Sequence, residues 1–243
     1  MSCIEKSSYP YGDICEVDTT GAPEETADGR KEGRKEGSVV SASREMAKDD
    51  FQHIKVYKKE IIKAANKYGV QPSVVAGIIS RETRGGRGAG FTSDGWGDNR
   101  NTFGLMQIDK NWHKPRGQWD SQEHIEQGVD QTKTHLFWGT KLKNVQILPT
   151  GGIKEVRSCT FRVFFKGFLI YVEYKKSLDF FSLHPSTYFF PALGVLAAFN
   201  MSTEKMASSY KNVDDHTTEK DYSNDVTARA QYYEEHYKEV FNL

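Results

Sequence analysis

Three cysteines in 243 residues, Cys3, Cys15 and Cys159, are too few, too scattered and too odd in number for a disulfide framework or a zinc site with short ligand spacings. Free thiols are expected. The seven histidines, at 53, 113, 124, 135, 184, 216 and 236, likewise show no metal-ligand spacing, so no metal and no cofactor is expected. The chain also lacks a net charge: Lys plus Arg and Asp plus Glu each total 33. With no global field, attraction to nucleic acid or an anionic surface is not expected, and affinity for any anionic polymer must be local. Long apolar runs are missing too. The two best, Phe161 to Val172 and Tyr188 to Phe199, fall short of the roughly 18 to 20 residues that span a bilayer, and are interrupted by Arg162 and Lys166, and by Pro191 and Gly194. No membrane association is therefore expected. The first residues, Met1-Ser2-Cys3-Ile4-Glu5-Lys6-Ser7, show no basic segment followed by an apolar one, so no ordinary secretory signal is visible; the protein stays in the cell or leaves by another route.

What is present is a chain with 37% hydrophobic residues, enough for a core. The preferred organisation is a polar, partly disordered arm over 1–45, one domain over 46–237 interrupted by an atypical insert at 138–193, and a short tail at 238–243. The arm carries a small duplication, Gly29-Arg30-Lys31-Glu32-Gly33-Arg34-Lys35-Glu36-Gly37, whose glutamates argue for a solvated segment rather than a nucleic-acid patch. From Ser43, a candidate cap, apolar residues at Ile54, Tyr57, Ile61, Ala65 and Tyr68 predict one helix to about Lys67, ended by Gly69. Pro72 suits the first turn of a second helix, in which Val75, Ile78, Ile79 and Glu82 share a face.

Seven glycines between Gly85 and Gly104 then signal turns rather than helix. A short strand or hairpin around Phe103 to Ile108 would project Gln107 and Asp109 to one side. Asp120 is a candidate cap for a helix over Ser121 to Phe137, and Asp221 to Tyr237 reads as another, with Val226, Ala230 and Tyr233 on one face. Residues 138–193 are aromatic, β-branched and without helical period, consistent with two short strands or with an ill-fitting insert. Gly86-Arg87-Gly88-Ala89-Gly90 lacks the strand that would make it a dinucleotide fingerprint, and Asn200-Met201-Ser202 is a glycosylation sequon without a visible secretory context.

Three carboxylates stand out. Glu82 closes an apolar helical run, where lost hydration and the negative helix end both disfavour its ionised form; Arg81 and Arg84 oppose this if they reach it. Asp98 and Asp109 follow on the glycine-rich stretch. Taken singly, Glu82 fits a structural role bonded to backbone, and each aspartate fits a turn. Taken together they are the set that glycoside hydrolysis needs, one carboxyl to protonate the leaving oxygen and others to orient water.

The motifs Gly77-Ile78-Ile79-Ser80-Arg81-Glu82, Gly95-Trp96-Gly97-Asp98, Phe103-Gly104-Leu105-Met106-Gln107-Ile108-Asp109-Lys110 and His113-Lys114-Pro115 resemble goose-type (g-type) lysozymes. So do Val17 to Ala22 and Ser41 to Ser43 upstream, and Asp221 to Val226 and Ala228 to Tyr233 downstream, so that roughly three quarters of the chain is covered. The resemblance implies an α+β fold, mainly helical and lysozyme-like, with a small antiparallel hairpin or sheet beside a cleft. It implies a muramidase that cleaves the β-1,4 bond between N-acetylmuramic acid and N-acetylglucosamine of bacterial peptidoglycan, as an extracellular, monomeric antibacterial enzyme. By the same resemblance Glu82 is the general acid, Asp98 and Asp109 position water for an inverting attack, and His113, Phe199 and Asn200 line the substrate cleft.

Departures from the family pattern are concentrated. About 56 unrelated residues at 138–193 stand where the family has an amphipathic helix, the turn after Asn200 is altered, and Phe199 lacks the hydroxyl of the family's tyrosine. The insert is either a genuine replacement or a translated intron or faulty gene model, in which case the acid and aspartates survive while the substrate floor does not. Two rival functions follow: a lytic transglycosylase, which closes an anhydro ring instead of adding water, and a non-catalytic glycan-binding relic.

Overall fold

The computed structural model describes residues 13–22, 39–131, 159–165, 168–174, 196–197, 199–200 and 213–241. Its elements are helices α1 (Val39–Val56), α2 (Lys58–Tyr68) and α3 (Pro72–Thr83), strands β1 (Trp96–Gly97), β2 (Thr102–Phe103) and β3 (Ile108–Asp109), a helix α4 described over 122–131, strands β4 (Cys159–Phe165) and β5 (Phe168–Tyr174), and helices α5 (Tyr222–Glu235) and α6 (Tyr237–Phe241). This is the mainly helical α+β fold with a small antiparallel sheet expected above. Chain contacts divide it into one unit of Met1–Leu142 with Phe189–Leu243 and a second of Lys143–Tyr188. In the second, β4 and β5 form a two-stranded antiparallel hairpin in continuous register from Cys159↔Tyr174 to Phe165↔Phe168. The rest of the 138–193 segment, the duplication at 29–37 and the last two residues of the sequon lie outside the described residues.

The centre of the first unit is α3. Its residues Val75, Ala76, Ile78 and Ile79 are buried among Leu105, Met106, Ile108, Ile125, Val129, Tyr222, Val226 and Tyr233. Gly77 permits close contact with α5: a Cβ there would lie 2.9 Å from the Val226 carbonyl and 3.1 Å from the Ala230 Cβ. The stripe Val226, Ala230 and Tyr233 is buried, as its spacing predicts.

Several local expectations are corrected. The helix expected from Ser43 to Lys67 begins at Val39 and breaks at Tyr57 (φ −96°, ψ 12°) into α1 and α2. Ser43 lies inside α1, where its buried hydroxyl accepts the Ala22 N–H at 2.8 Å rather than capping the helix. Gly69 ends α2 as expected, in the left-handed region at φ 72°, followed by the Val70 N–H returning to the Ala65 carbonyl at 3.0 Å. The cap of α4 is Ser121, whose Oγ accepts the His124 N–H at 3.3 Å, not Asp120. Residues 13–22, expected within the solvated arm, pack on the domain instead: Gln231 Nε2 donates to the carbonyls of Ile14 and Val17, and Thr19 Oγ1 donates to the Asn224 carbonyl at 2.6 Å. Among the described residues, no helix is long and apolar enough to cross a membrane.

Candidate active site

Glu82 occupies the last turn of α3, which Arg84 closes in the left-handed conformation (φ 54°). The neighbouring Thr83 fixes that helix end to the sheet: its Oγ1 donates to the carbonyl of Leu105, in the β2–β3 connection, at 3.0 Å. The sheet pairs Gly97 with Thr102 and Thr102 with Asp109, so those three residues form one row across it. Two strand spacings separate the Cα atoms of Gly97 and Asp109 by about 10 Å. Asp98, immediately after Gly97, is exposed and left-handed at φ 41°; Asp109 is half-buried. The fold therefore brings the end of α3 and the sheet carrying both aspartates together.

β3 begins at Ile108, and Gln107 is left-handed (φ 48°), so strand alternation does not extend from Asp109 back to Gln107. Gln107 instead works inside the sheet. Its Oε1 accepts from Thr102 Oγ1 at 2.5 Å and its Nε2 donates to the Gly104 carbonyl at 2.8 Å. A Cβ at Gly97 would lie 2.0 Å from that Oε1, so a side chain there would displace Gln107 from its place in the sheet.

The residue that sequence reasoning missed is Tyr222. Its phenol donates to Glu82 Oε1 at 2.5 Å, and its ring is fully buried at the start of α5. The adjacent residues pair as well: Arg81 Nη2 lies 2.8 Å from Asp221 Oδ1 and Arg81 Nη1 lies 2.7 Å from Asp225 Oδ2. Two consecutive residues of α3 are thus matched to two consecutive residues of the α5 start, 140 positions away. The only sequence signal was the recurrence of Asp221-Tyr222 within a family motif, which carries no contact information.

The electrostatics follow from this pairing. Burial pushes the Glu82 carboxyl up to about 7, against the lowering pull of the Tyr222 hydrogen bond and the Arg81 charge. Arg81 remains a weak opponent because its guanidinium is shared between two aspartates, and Arg84 Nε donates to Asp50 Oδ1 at 2.9 Å. Asp225 feels burial first, which would raise it, but Arg229 and Arg81 outweigh that and hold it down at about 2. Tyr222 is held well above its ordinary range by burial and by the Glu82 charge.

Because the Tyr222 bond favours ionised Glu82, Tyr222→Phe is expected to raise the Glu82 pKa further. A carboxyl carbon NMR titration of the two proteins checks this, and an unchanged or lower midpoint in the variant counts against the bond.

Phe199 stacks on Tyr222 with centroids 6.4 Å apart and planes 25° apart, so it lies one ring from the acid. Asn200 Oδ1 accepts the Thr218 N–H at 2.8 Å, tying its segment to the turn before Tyr222. His113 is exposed, and its N–H donates to the Asp109 carbonyl at 2.9 Å. His124 is buried with Nε2 accepting the Met106 N–H at 3.1 Å, and burial lowers its pKa to about 4, consistent with a packing role. Among the described residues, no group of three or more His, Cys, Asp or Glu side chains is arranged to hold a metal ion.

A comparison with known proteins bears on the same residues. The sequence profile described as Lysozyme g matches residues 11–136 and 192–237, pausing across most of the atypical segment. The chain is 34% identical to a lysozyme g of Casuarius casuarius over 226 residues, covering 93% of this chain and 97% of that protein. It is 36% identical to a lysozyme g of Epinephelus coioides over 233 residues, covering 92% and 96%. A shorter match, 37% over 119 residues, is to a lysozyme g-like protein 2 of Mus musculus and covers 49% and 52%. With its motifs, its fold and near full-length relatives in agreement, the chain belongs to the lysozyme g family of glycoside hydrolases.

Proposed function

We propose that this lysozyme hydrolyses the β-1,4 bond between N-acetylmuramic acid and N-acetylglucosamine of bacterial peptidoglycan, with Glu82 as general acid and water as nucleophile. The observation that carries the assignment is the state of Glu82: a half-buried carboxyl at the negative end of α3, held by Tyr222 Oη and with its pKa pushed up to about 7. Such a group still carries a proton near neutral pH and loses it readily to a leaving glycosidic oxygen.

Asp98, exposed, and Asp109, half-buried, sit at one end of the sheet. Their role is to orient and deprotonate the water that attacks the opposite face of the sugar, with inversion at the anomeric carbon. In this reading Phe199, beside Tyr222, presents a ring to the sugar, while Asn200 and His113 supply polar contacts along the strand. Gln107 supports this arrangement by tying Thr102, which pairs with both Gly97 and Asp109, to the turn at Gly104.

Two rivals remain to be separated. A lytic transglycosylase would use the same acid but close a 1,6-anhydro ring, and a glycan-binding relic would bind without cleaving. Mass spectrometry of muropeptides released from purified sacculi distinguishes all three. Reducing, hydrated N-acetylmuramyl ends are expected, with Asp98→Asn or Asp109→Asn slowing their release. A dominant anhydro product excludes hydrolysis, and no release at any pH between 5 and 8 favours the relic.

A further inference from the structure

The three described tryptophans have different environments. Trp96 stacks edge-on against Phe103 at 4.9 Å and lies beneath Arg100 and Lys110, 5.4 and 5.8 Å from its ring. Trp119 packs against Phe91 at 5.3 Å and against the glycine surfaces of Gly86 and Gly95. Trp112 is 81% exposed.

That exposed indole is held on an ordered turn. The N–H groups of Trp112 and His113 both return to the Asp109 carbonyl, at 3.3 and 2.9 Å, and the Asn111 N–H donates to Asp109 Oδ1 at 2.7 Å. Two further bonds anchor the following stretch to α4: Gln127 accepts the Arg116 N–H at 2.8 Å and donates to the Lys114 carbonyl at 3.0 Å. The backbone is pinned while the side chains of Lys110, Trp112, His113, Lys114 and Arg116 are all exposed. In a chain of zero net charge, Lys110, Lys114 and Arg116 place three exposed cations within four residues of an uncovered aromatic ring.

We infer that residues 110–116 form a docking platform for a peptidoglycan strand, on which the Trp112 indole stacks against a sugar face while Lys114 and Arg116 pair with carboxylates of the peptide stems that the muramyl residues carry. A pyranose presents axial C–H groups that suit an aromatic face, and a large rigid ring gives contact area at low entropic cost. Peptidoglycan, the substrate proposed above, supplies both features, sugar rings and carboxylates. The platform begins one residue beyond Asp109, so a strand lying on it runs on toward the proposed water-positioning pair.

This inference rests on the peptidoglycan reading above, and the test separates the two. Binding of the full chain to purified, insoluble sacculi is measured by co-sedimentation in the Glu82→Gln background, where turnover is removed. Trp112→Ala is expected to weaken binding about 10-fold, and Trp112→Phe to retain most of it. Lys114→Gln with Arg116→Gln is expected to weaken binding at low salt, with the difference closing as salt rises. Sacculi should also shift the emission of the exposed indole to shorter wavelength, a change lost with Trp112→Ala. Unchanged affinity of Trp112→Ala overturns the platform, as does weakening by Lys114→Gln and Arg116→Gln that is indifferent to salt. If Glu82→Gln still lyses cells, the catalytic reading fails, and the affinity comparison among Trp112 variants can still be made at low temperature and short times.

Discussion

Glu82→Gln is expected to abolish lysis of a bacterial suspension and, at the same time, to make the protein more stable above neutral pH. Removing a general acid costs about 10²–10⁴-fold in rate, and glutamine keeps the oxygen that accepts from Tyr222 but has no proton to deliver. The stability gain follows from linkage. The folded pKa of Glu82, about 7, lies above its ordinary value of 4.5. Below the lower value the group is protonated in both states, and its contribution to stability is fully present. As pH rises from there through about 7, the unfolded chain ionises first, and that contribution is lost. The shift corresponds to roughly 3 kcal/mol when complete. Glutamine has no such loss, so at pH 8 the variant should unfold at higher denaturant concentration than the parent, and at pH 4 the two should nearly coincide. Parent-like lysis by the variant would contradict the catalytic assignment, and equal stability at pH 8 would contradict the strained ionisation of Glu82. The combination also rules out misfolding as the cause of lost activity.

Asp225→Ala is the second large effect, and it falls on stability. Asp225 is fully buried between two cations: Arg229 Nε lies 2.9 Å from its Oδ1, and Arg81 Nη1 lies 2.7 Å from its Oδ2. Arg229 is itself fully buried, with Ser80 Oγ at 2.9 Å and Asp50 Oδ2 at 3.4 Å as further partners. Deleting the aspartate leaves two guanidinium groups short of a counter-charge away from water, a change that costs about 3–5 kcal/mol. Urea unfolding at pH 7 measures it, and a loss below about 1 kcal/mol would put the cluster in the class of surface ion pairs. The same carboxylate has a pH signature. Its folded pKa, held down at about 2, lies below the ordinary 3.8. Its stabilisation is present above the upper value and is lost as pH falls through the lower, so acid unfolding of the parent should steepen in that window. Because Asp225 and Asp221 also share Arg81, the cluster positions the start of α5 and with it Tyr222. A destabilised variant should therefore lose lysis before it loses helix content.

Much of the fold was legible because short-range rules govern it. Pro72 at a helix start, Gly69 in the left-handed region and the buried stripe of α5 each follow from local sequence. The rules failed where a side chain had a distant partner. Ser43 has the chemistry of a cap, yet its hydroxyl is used by Ala22; Ser121 caps α4 in place of the adjacent Asp120. The hydrophilic composition of 1–45 suggested a solvated arm, but Ile14, Val17 and Ala22 are buried, because a few apolar residues in a polar segment suffice to dock it.

The candidate site divides in the same way. The sequence by itself determined which residue types were at hand: a glutamate closing an apolar helix, two aspartates on a glycine-rich stretch, and the motifs that place the chain in the lysozyme g family. Only the tertiary structure decided the setting of that glutamate, because Tyr222, Asp221 and Asp225 reach α3 from about 140 residues away. The tyrosine and the two aspartates set its hydrogen bond and tie up the charge of Arg81. A carboxyl's proton affinity depends on the hydration it loses and the charges around it, and those depend on distances that sequence spacing does not encode.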